Sequence, residues 1–159
     1  MKGHKSKIYF CLFIYFCLFA ACSRRDVYQE FHSLPKSSWS KEKALEFDVN
    51  IQDSISEHSI SIEIRHSYNF AYRNLWLSVE CSGPEGYTSN DLMNCELADA
   101  SGEWFGSGIS LRAQSFIYKS SIKYPRKGRY IYTIRHGMRN DVLHGISDIG
   151  LLVKSASEK

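Results

Sequence analysis

The sequence predicts an all-β protein: an antiparallel β-sandwich of about seven or eight strands, preceded by a signal peptide and an irregular N-terminal tether. Three observations carry this. Apolar and polar residues alternate with period two in several runs, Gly-rich or Pro-rich breaks separate those runs, and no helical period extends beyond a brief stretch around Met138–His144. Short half-buried strands punctuated by turns are the pattern of sandwiches and barrels.

Residues 23–43 are polar and irregular, with Pro35, Ser37, Ser38 and Ser40 and the isolated aromatics Tyr28, Phe31 and Trp39. They read as a tether whose rings dock on the domain. The first strand-like run is Glu46–Ile51. Ile60, Ile62 and Ile64 then alternate with Ser61, Glu63 and Arg65, and Leu75, Leu77 and Val79 with Trp76, Ser78 and Glu80. Further runs are Gly108–Ala113, Ser115–Lys119, Tyr130–His136 and Ile149–Lys154. Turn signals fall between them at Gly83-Pro84-Glu85-Gly86, Ser101-Gly102 and Pro125-Arg126-Lys127-Gly128. The expected division is a lipoprotein signal peptide over 1–21, a lipidated tether over 22–43 and a β-sandwich domain over 44–159.

The first segment is read from its order of residue types. Lys2, Lys5 and Lys7 precede the apolar run Ile8–Phe19, and Ala20-Ala21 stand before Cys22, the layout of a bacterial export signal. The run is shorter than the ~20 residues that cross a bilayer as a helix, and Ser23-Arg24-Arg25 follow directly. Small residues ahead of a cysteine match the place where a lipoprotein signal is cut and the thiol lipidated, although Phe19 stands where Leu is usual. Cys22 is the expected lipid attachment site, with membrane lipid as the anchor. The residues directly after it are neither Asp nor an acidic cluster, which by analogy with other bacterial lipoproteins suggests the outer membrane, facing the periplasm.

Without residues 1–21 the chain holds 17 basic and 17 acidic groups. A neutral chain with no Lys/Arg stripe lacks the footprint that phosphate-backbone binding needs, so no nucleic acid is expected as a partner. Cys11 and Cys17 leave with the signal, and Cys81 and Cys95 remain. Two cysteines in an oxidising compartment favour a disulfide, with two buried free thiols as the alternative. No zinc site is expected, because the two lie 14 positions apart without a close pair or a neighbouring His.

Catalytic patterns are weak. Arg135-His136-Gly137 follows a strand as in histidine phosphatases, yet it sits close to the C-terminus instead of near the start of an α/β domain. There is no G-x-S-x-G, no H-E-x-x-H and no complete phosphate-binding glycine loop, and Gly106-Ser107-Gly108 lacks a third glycine. No cofactor, metal or small-molecule substrate is expected. What stands out is aromatic density: Tyr68, Phe70, Tyr72 and Trp76, then Trp104 and Phe105, then Tyr124, Tyr130 and Tyr132. Such rings are core, or a face for a partner protein or a sugar. Tyr72, Arg73, Trp76, Trp104, Met138 and Arg139 are the candidate partner-binding residues, because aromatic and Arg side chains dominate interface hot spots.

A longer pattern runs through the chain. Val27-Tyr28, Leu34-Pro35, Trp39, Phe47, Asp53, Ile64-Arg65, Tyr72-Arg73-Asn74-Leu75-Trp76-Leu77, Trp104-Phe105-Gly106-Ser107-Gly108, Gly128-Arg129-Tyr130, Met138-Arg139, Leu143, Gly145-Ile146 and Asp148-Ile149-Gly150-Leu151 resemble the gliding-motility lipoprotein GldH family of Bacteroidota. The resemblance implies a lipid-anchored protein without enzymatic activity. It also implies a process tied to type IX secretion and companion lipoproteins of the GldJ kind as partners.

Overall fold

Ten strands appear in the computed structural model, which describes residues 26–155. They are β1 (Asp26–Ser33), β2 (Ser38–Ser40), β3 (Leu45–Ile51), β4 (His58–His66), β5 (Asn74–Ser82), β6 (Thr88–Glu96), β7 (Arg112–Ile122), β8 (Gly128–His136), β9 (Val142–His144) and β10 (Ile146–Ser155). One sheet has the order β1-β10-β4-β7 and the other β3-β8-β5-β6, while β2 and β9 form a two-stranded ribbon. All the pairs are antiparallel, giving the all-β sandwich that the alternation predicts.

The period-two runs set the core. Ile60, Ile62 and Ile64 of β4 with Ile149, Leu151 and Val153 of β10 face inward from one sheet, and all six are fully buried. Phe47, Val49 and Ile51 of β3, Leu75, Leu77 and Val79 of β5, and Tyr130 and Ile134 of β8 meet them from the other. Each such aliphatic side chain stabilises the fold by roughly 1.5–3 kcal/mol.

The segment expected to be an irregular tether is largely part of this structure. Asp26–Ser33 pairs with β10, a 3₁₀ turn follows at Pro35–Ser37, and β2 carries the fully buried Trp39, whose Nε1–H donates to the Lys43 carbonyl at 2.9 Å. The brief helical period expected at Met138–His144 is instead a loop over 138–141 followed by β9. Gly108–Ala113 is mostly the turn ahead of β7, and Thr88–Glu96, which shows no clean alternation, is the edge strand β6.

The expected Cys81–Cys95 disulfide is overturned, and both thiols are free and buried. Cys81 sits opposite Ser89 and Cys95 opposite Leu75 on the β5–β6 ladder, so the two cysteines are six residues out of register, roughly 20 Å along the strands. A bridge needs Cα atoms within about 7 Å. Burial pushes the Cys81 thiol up to about 11 and the Cys95 thiol up to about 12, far from the reactive thiolate range. Cys22 and the signal segment lie outside the described residues.

Antiparallel pairing divides the loops between two ends. At the near end β1 begins and β10 stops, joined by the turns 52–57, 83–87 and 123–127. At the far end are the segments 34–44, 67–73, 97–111 and 137–145.

Candidate functional site

The far end holds a groove of about 540 Å³ on the outer side of the β3-β8-β5-β6 sheet, lined by Tyr72, Asn74, Trp76 and Leu92 and by the loop Gly137–Asn140. Alternation along β5 explains its floor. Leu75 and Leu77 face the core, so Asn74 and Trp76, which alternate with them, face outward, and Trp76 is 42% exposed. Leu92 on the neighbouring β6 is 72% exposed, and Asn74 Nδ2 donates to Asn94 Oδ1 at 2.9 Å across the same pair of strands.

The wall of the groove forms where β8 leaves the sheet. His136 is the last residue of β8, and Gly137 N–H donates to the Trp76 carbonyl at 2.7 Å. Met138 then packs at the edge of β5, where its Sδ accepts from Trp76 N–H at 3.4 Å. Beneath this loop His136 is buried with its ring against Trp39, centroids 5.3 Å apart, and neither ring nitrogen has a hydrogen-bond partner among the described residues. Burial lowers its pKa below the usual histidine value, so the imidazole is neutral. A ring held this way cannot be presented to a substrate, and Arg135-His136-Gly137 is the end of a strand.

Four of the six candidate partner-binding residues, Tyr72, Trp76, Met138 and Arg139, therefore share one groove although 62 residues separate Trp76 from Met138. The other two do not line it. Arg73 is exposed, its carbonyl accepting from Leu97 and Ala98 N–H at 2.7 and 3.0 Å. Trp104 is half-buried 4.7 Å from the His66 ring. His66 and Phe70 connect Trp104 to Tyr72, so Trp104 packs within the far end. Sequence reasoning did not single out Leu92, Asn94 or Asn140. A lone leucine in a polar run and two surface amides carry no pattern of their own.

A second exposed apolar feature lies at the same end of the sandwich. Ser107 and Ala113 exchange backbone bonds of 3.0 and 2.8 Å, pinching a loop whose tip, Ile109, is 95% exposed. Gly108 has φ +120°, and a Cβ there would lie 2.1 Å from the Leu111 carbonyl oxygen, so the loop requires glycine. Arg112 lies over Tyr68 (5.3 Å) and donates to the Gly106 carbonyl at 3.3 Å. Among the described residues no group of three or more His, Cys, Asp or Glu is placed to hold a metal ion.

The family described as GldH lipoprotein matches residues 26–153, all of the sandwich except the last two residues of β10. The chain belongs to the GldH lipoprotein family. It is 29% identical to a gliding motility lipoprotein GldH homolog of Christiangramia forsetii, over 87% of this chain and 90% of that one. It is 27% identical to gliding motility lipoprotein GldH of Flavobacterium johnsoniae, over 86% and 89%. Among solved structures, the chain is similar to part of a 4-O-methyl-α-glucuronidase (TM-score 0.44, 11% identity, 86% of this chain), and spans only 18% of that enzyme's length. It is also similar to TmCBM61, solved with β-1,4-galactotriose (TM-score 0.34, 10% identity, 82% of both chains). At these scores neither likeness bears on what a GldH groove holds.

Proposed function

We propose that this GldH lipoprotein is a non-enzymatic accessory component of the gliding-motility apparatus and its associated type IX secretion machinery. It is lipidated on Cys22, sits in the outer membrane facing the periplasm, and holds companion lipoproteins of the GldJ kind at its far end. The observation that carries the docking role is the groove, because Tyr72, Trp76, Met138 and Arg139 are the residue types that anchor interfaces and they converge in one open concavity.

Geometry supports the division of labour between anchor and groove. Cys22 precedes Asp26 by four residues, a reach of at most ~14 Å. The strands leading from the near end to the groove are about nine residues long, close to 30 Å. An anchor at Cys22 holds the near end at the bilayer and turns the groove away from it.

Trp76→Ala, Arg139→Ala and Cys22→Ala test the proposal in cells of the native host. The two groove variants should melt like the parent protein and stay in the envelope, yet lose co-purifying companion lipoproteins and surface spreading. Cys22→Ala should lose the envelope itself. Groove variants that keep every companion, or a Cys22→Ala protein still processed and membrane-bound, overturn the corresponding half.

A second reading is a lipid-anchored carbohydrate-binding sandwich. The half-exposed Trp76 ring beside Asn74, Asn94 and Asn140 favours it, since sugars stack on such a face and bond such amides. Binding of periplasmic glycans that disappears in Trp76→Ala, with companion recovery unchanged, would favour this reading.

A further inference from the structure

The strand β5 is flanked by β6 along its whole length but by β8 along only part of it. The β5–β8 ladder stops at Leu77–His136, and the bond from Gly137 N–H to the Trp76 carbonyl closes it. N-terminal to that point, the side of β5 facing away from β6 has no strand to pair with among the described residues.

The alternation of an antiparallel ladder identifies the backbone groups left open. The Arg73 carbonyl accepts from Leu97 N–H, so Arg73 and Leu75 turn their backbone groups toward β6, and Asn74 and Trp76 turn theirs the opposite way. The Trp76 carbonyl takes Gly137, while its N–H meets only the Met138 thioether, a weak acceptor. The N–H and C=O of Asn74 aim into the same gap and have no backbone partner among the described residues.

Charge at the gap is equally unanswered. Among the described residues Arg126, Arg129 and Arg135 pair with Glu85, Asp48 and Glu80, Arg65 lies over Phe31, and Arg112 lies over Tyr68. Arg73 and Arg139 are the remaining arginines of the described residues, and neither has an acidic partner or a ring there. Arg139 lines the groove, and Arg73 immediately precedes Asn74.

Resting on the reading that the groove docks a protein, we infer that its occupant is an extended, acidic segment of a partner polypeptide that adds to β5 as a short strand. Its backbone bonds Asn74 and, once the flexible Met138 side chain swings aside, Trp76. One apolar side chain lies on Trp76 and Leu92, and a carboxylate meets Arg139, the residue best shaped for bidentate pairing. A sugar would use the indole face and the amides and leave the open backbone of β5 unanswered.

Short random peptides displayed on phage and panned against the full-length protein in detergent micelles supply the probe. Enriched peptides should be acidic. A synthetic copy of one should bind about tenfold more weakly to Arg139→Glu and recover when its acidic residue is exchanged for lysine. Asn74→Pro deletes the backbone donor at the first residue of the strand and should abolish binding, whereas Asn74→Ala removes only the side-chain amide and should not. If Asn74→Pro melts early, hydrogen exchange of the parent protein gives the second measurement, since the Asn74 and Trp76 amides should slow when the peptide is bound.

No enriched peptide, binding indifferent to Arg139→Glu, or bound peptide with both amides exchanging as before would overturn the inference. If any of these occurs while Trp76→Ala still loses its companions in cells, the groove docks a folded surface and only the added strand is wrong. If the companions stay as well, the docking reading itself fails.

Discussion

The two ends of the sandwich are built from similar residues and treat them differently. At the near end the tyrosines close on themselves. Tyr124 and Tyr132 share a hydroxyl contact of 2.8 Å, Tyr130 donates to the Arg126 carbonyl at 2.8 Å, and the Tyr124 and Tyr130 rings lie 4.6 Å apart. A 2.7 Å Arg126–Glu85 ion pair caps the adjoining turns, and one ring nitrogen of His58 is the exception to this satisfaction. At the far end His66 Nε2, both nitrogens of His136, Arg112 Nε and Gln114 Oε1 are buried with no partner among the described residues, which also leave one side of β5 open. Polar groups left unanswered cost stability, so the far end contributes less to the stability of the fold than the near end.

The largest expected effect tests whether the near end carries the stability. Tyr130→Ala should lose about 3–5 kcal/mol in urea denaturation, and Trp76→Ala, removing a ring of similar size, no more than about 1 kcal/mol. Equal losses would make the groove a seam of the core and erase the difference between the ends.

Within the far end, the pinched loop separates frame from display. Gly108→Ala should cost about 1–3 kcal/mol, because it forces a side chain onto a left-handed backbone against the Leu111 carbonyl. Ile109→Ser at the exposed tip should leave the melting temperature within about 2 °C of the parent.

Acid should weaken the far end first. Burial lowers the pKa of His66 and of His136, the latter facing Lys41 and Asp141 as its nearest charges. The unfolded chain therefore takes up protons on these rings that the native state refuses. Stability should fall as pH drops below about 6.5, by at most roughly 1.4 kcal/mol per pH unit for each ring, before the depressed carboxylates Asp91 and Asp99 begin to protonate. In denaturation curves between about pH 7 and 5, His136→Leu should flatten this slope. A slope unchanged by that substitution would remove His136 as a cause.

The smallest effect is none at all. Reductant should not move the melting temperature, and Cys81 and Cys95 should resist alkylation until the protein unfolds, since both thiols are buried and far apart on the ladder.

What the sequence could show follows from which faces are buried. β3, β4, β5 and β8 each have one face in the core, and their strict alternation makes them plain. β1 and β6 bury almost no side chain fully on either face, although β3, also at a sheet edge, alternates cleanly, so the polar character of β1 and β6 reads as tether or loop. Trp39 was visible as an isolated ring, but its burial against His136 depends on a ribbon of three-residue strands that no local pattern announces. The Tyr72–Leu77 block and Met138-Arg139 stood out as separate motifs. Their meeting is set by where β8 leaves the sheet, a property of the topology. The cysteines failed for a related reason, because counting thiols ignores register.

The position of β1 has a mechanical consequence. It pairs with β10 from Asp26–Lys154 to Ser33–Asp148, at the edge of its sheet, with its first residue at the near end. A pull between a lipid on Cys22 and an occupant of the groove would run along the strand axes. Antiparallel ladder bonds lie across that axis, so such a load would have to slide β1 past β10 against all of them at once instead of peeling them apart singly. Survival under tension is set by the rate of unfolding, and this shear arrangement is the one that keeps that rate low.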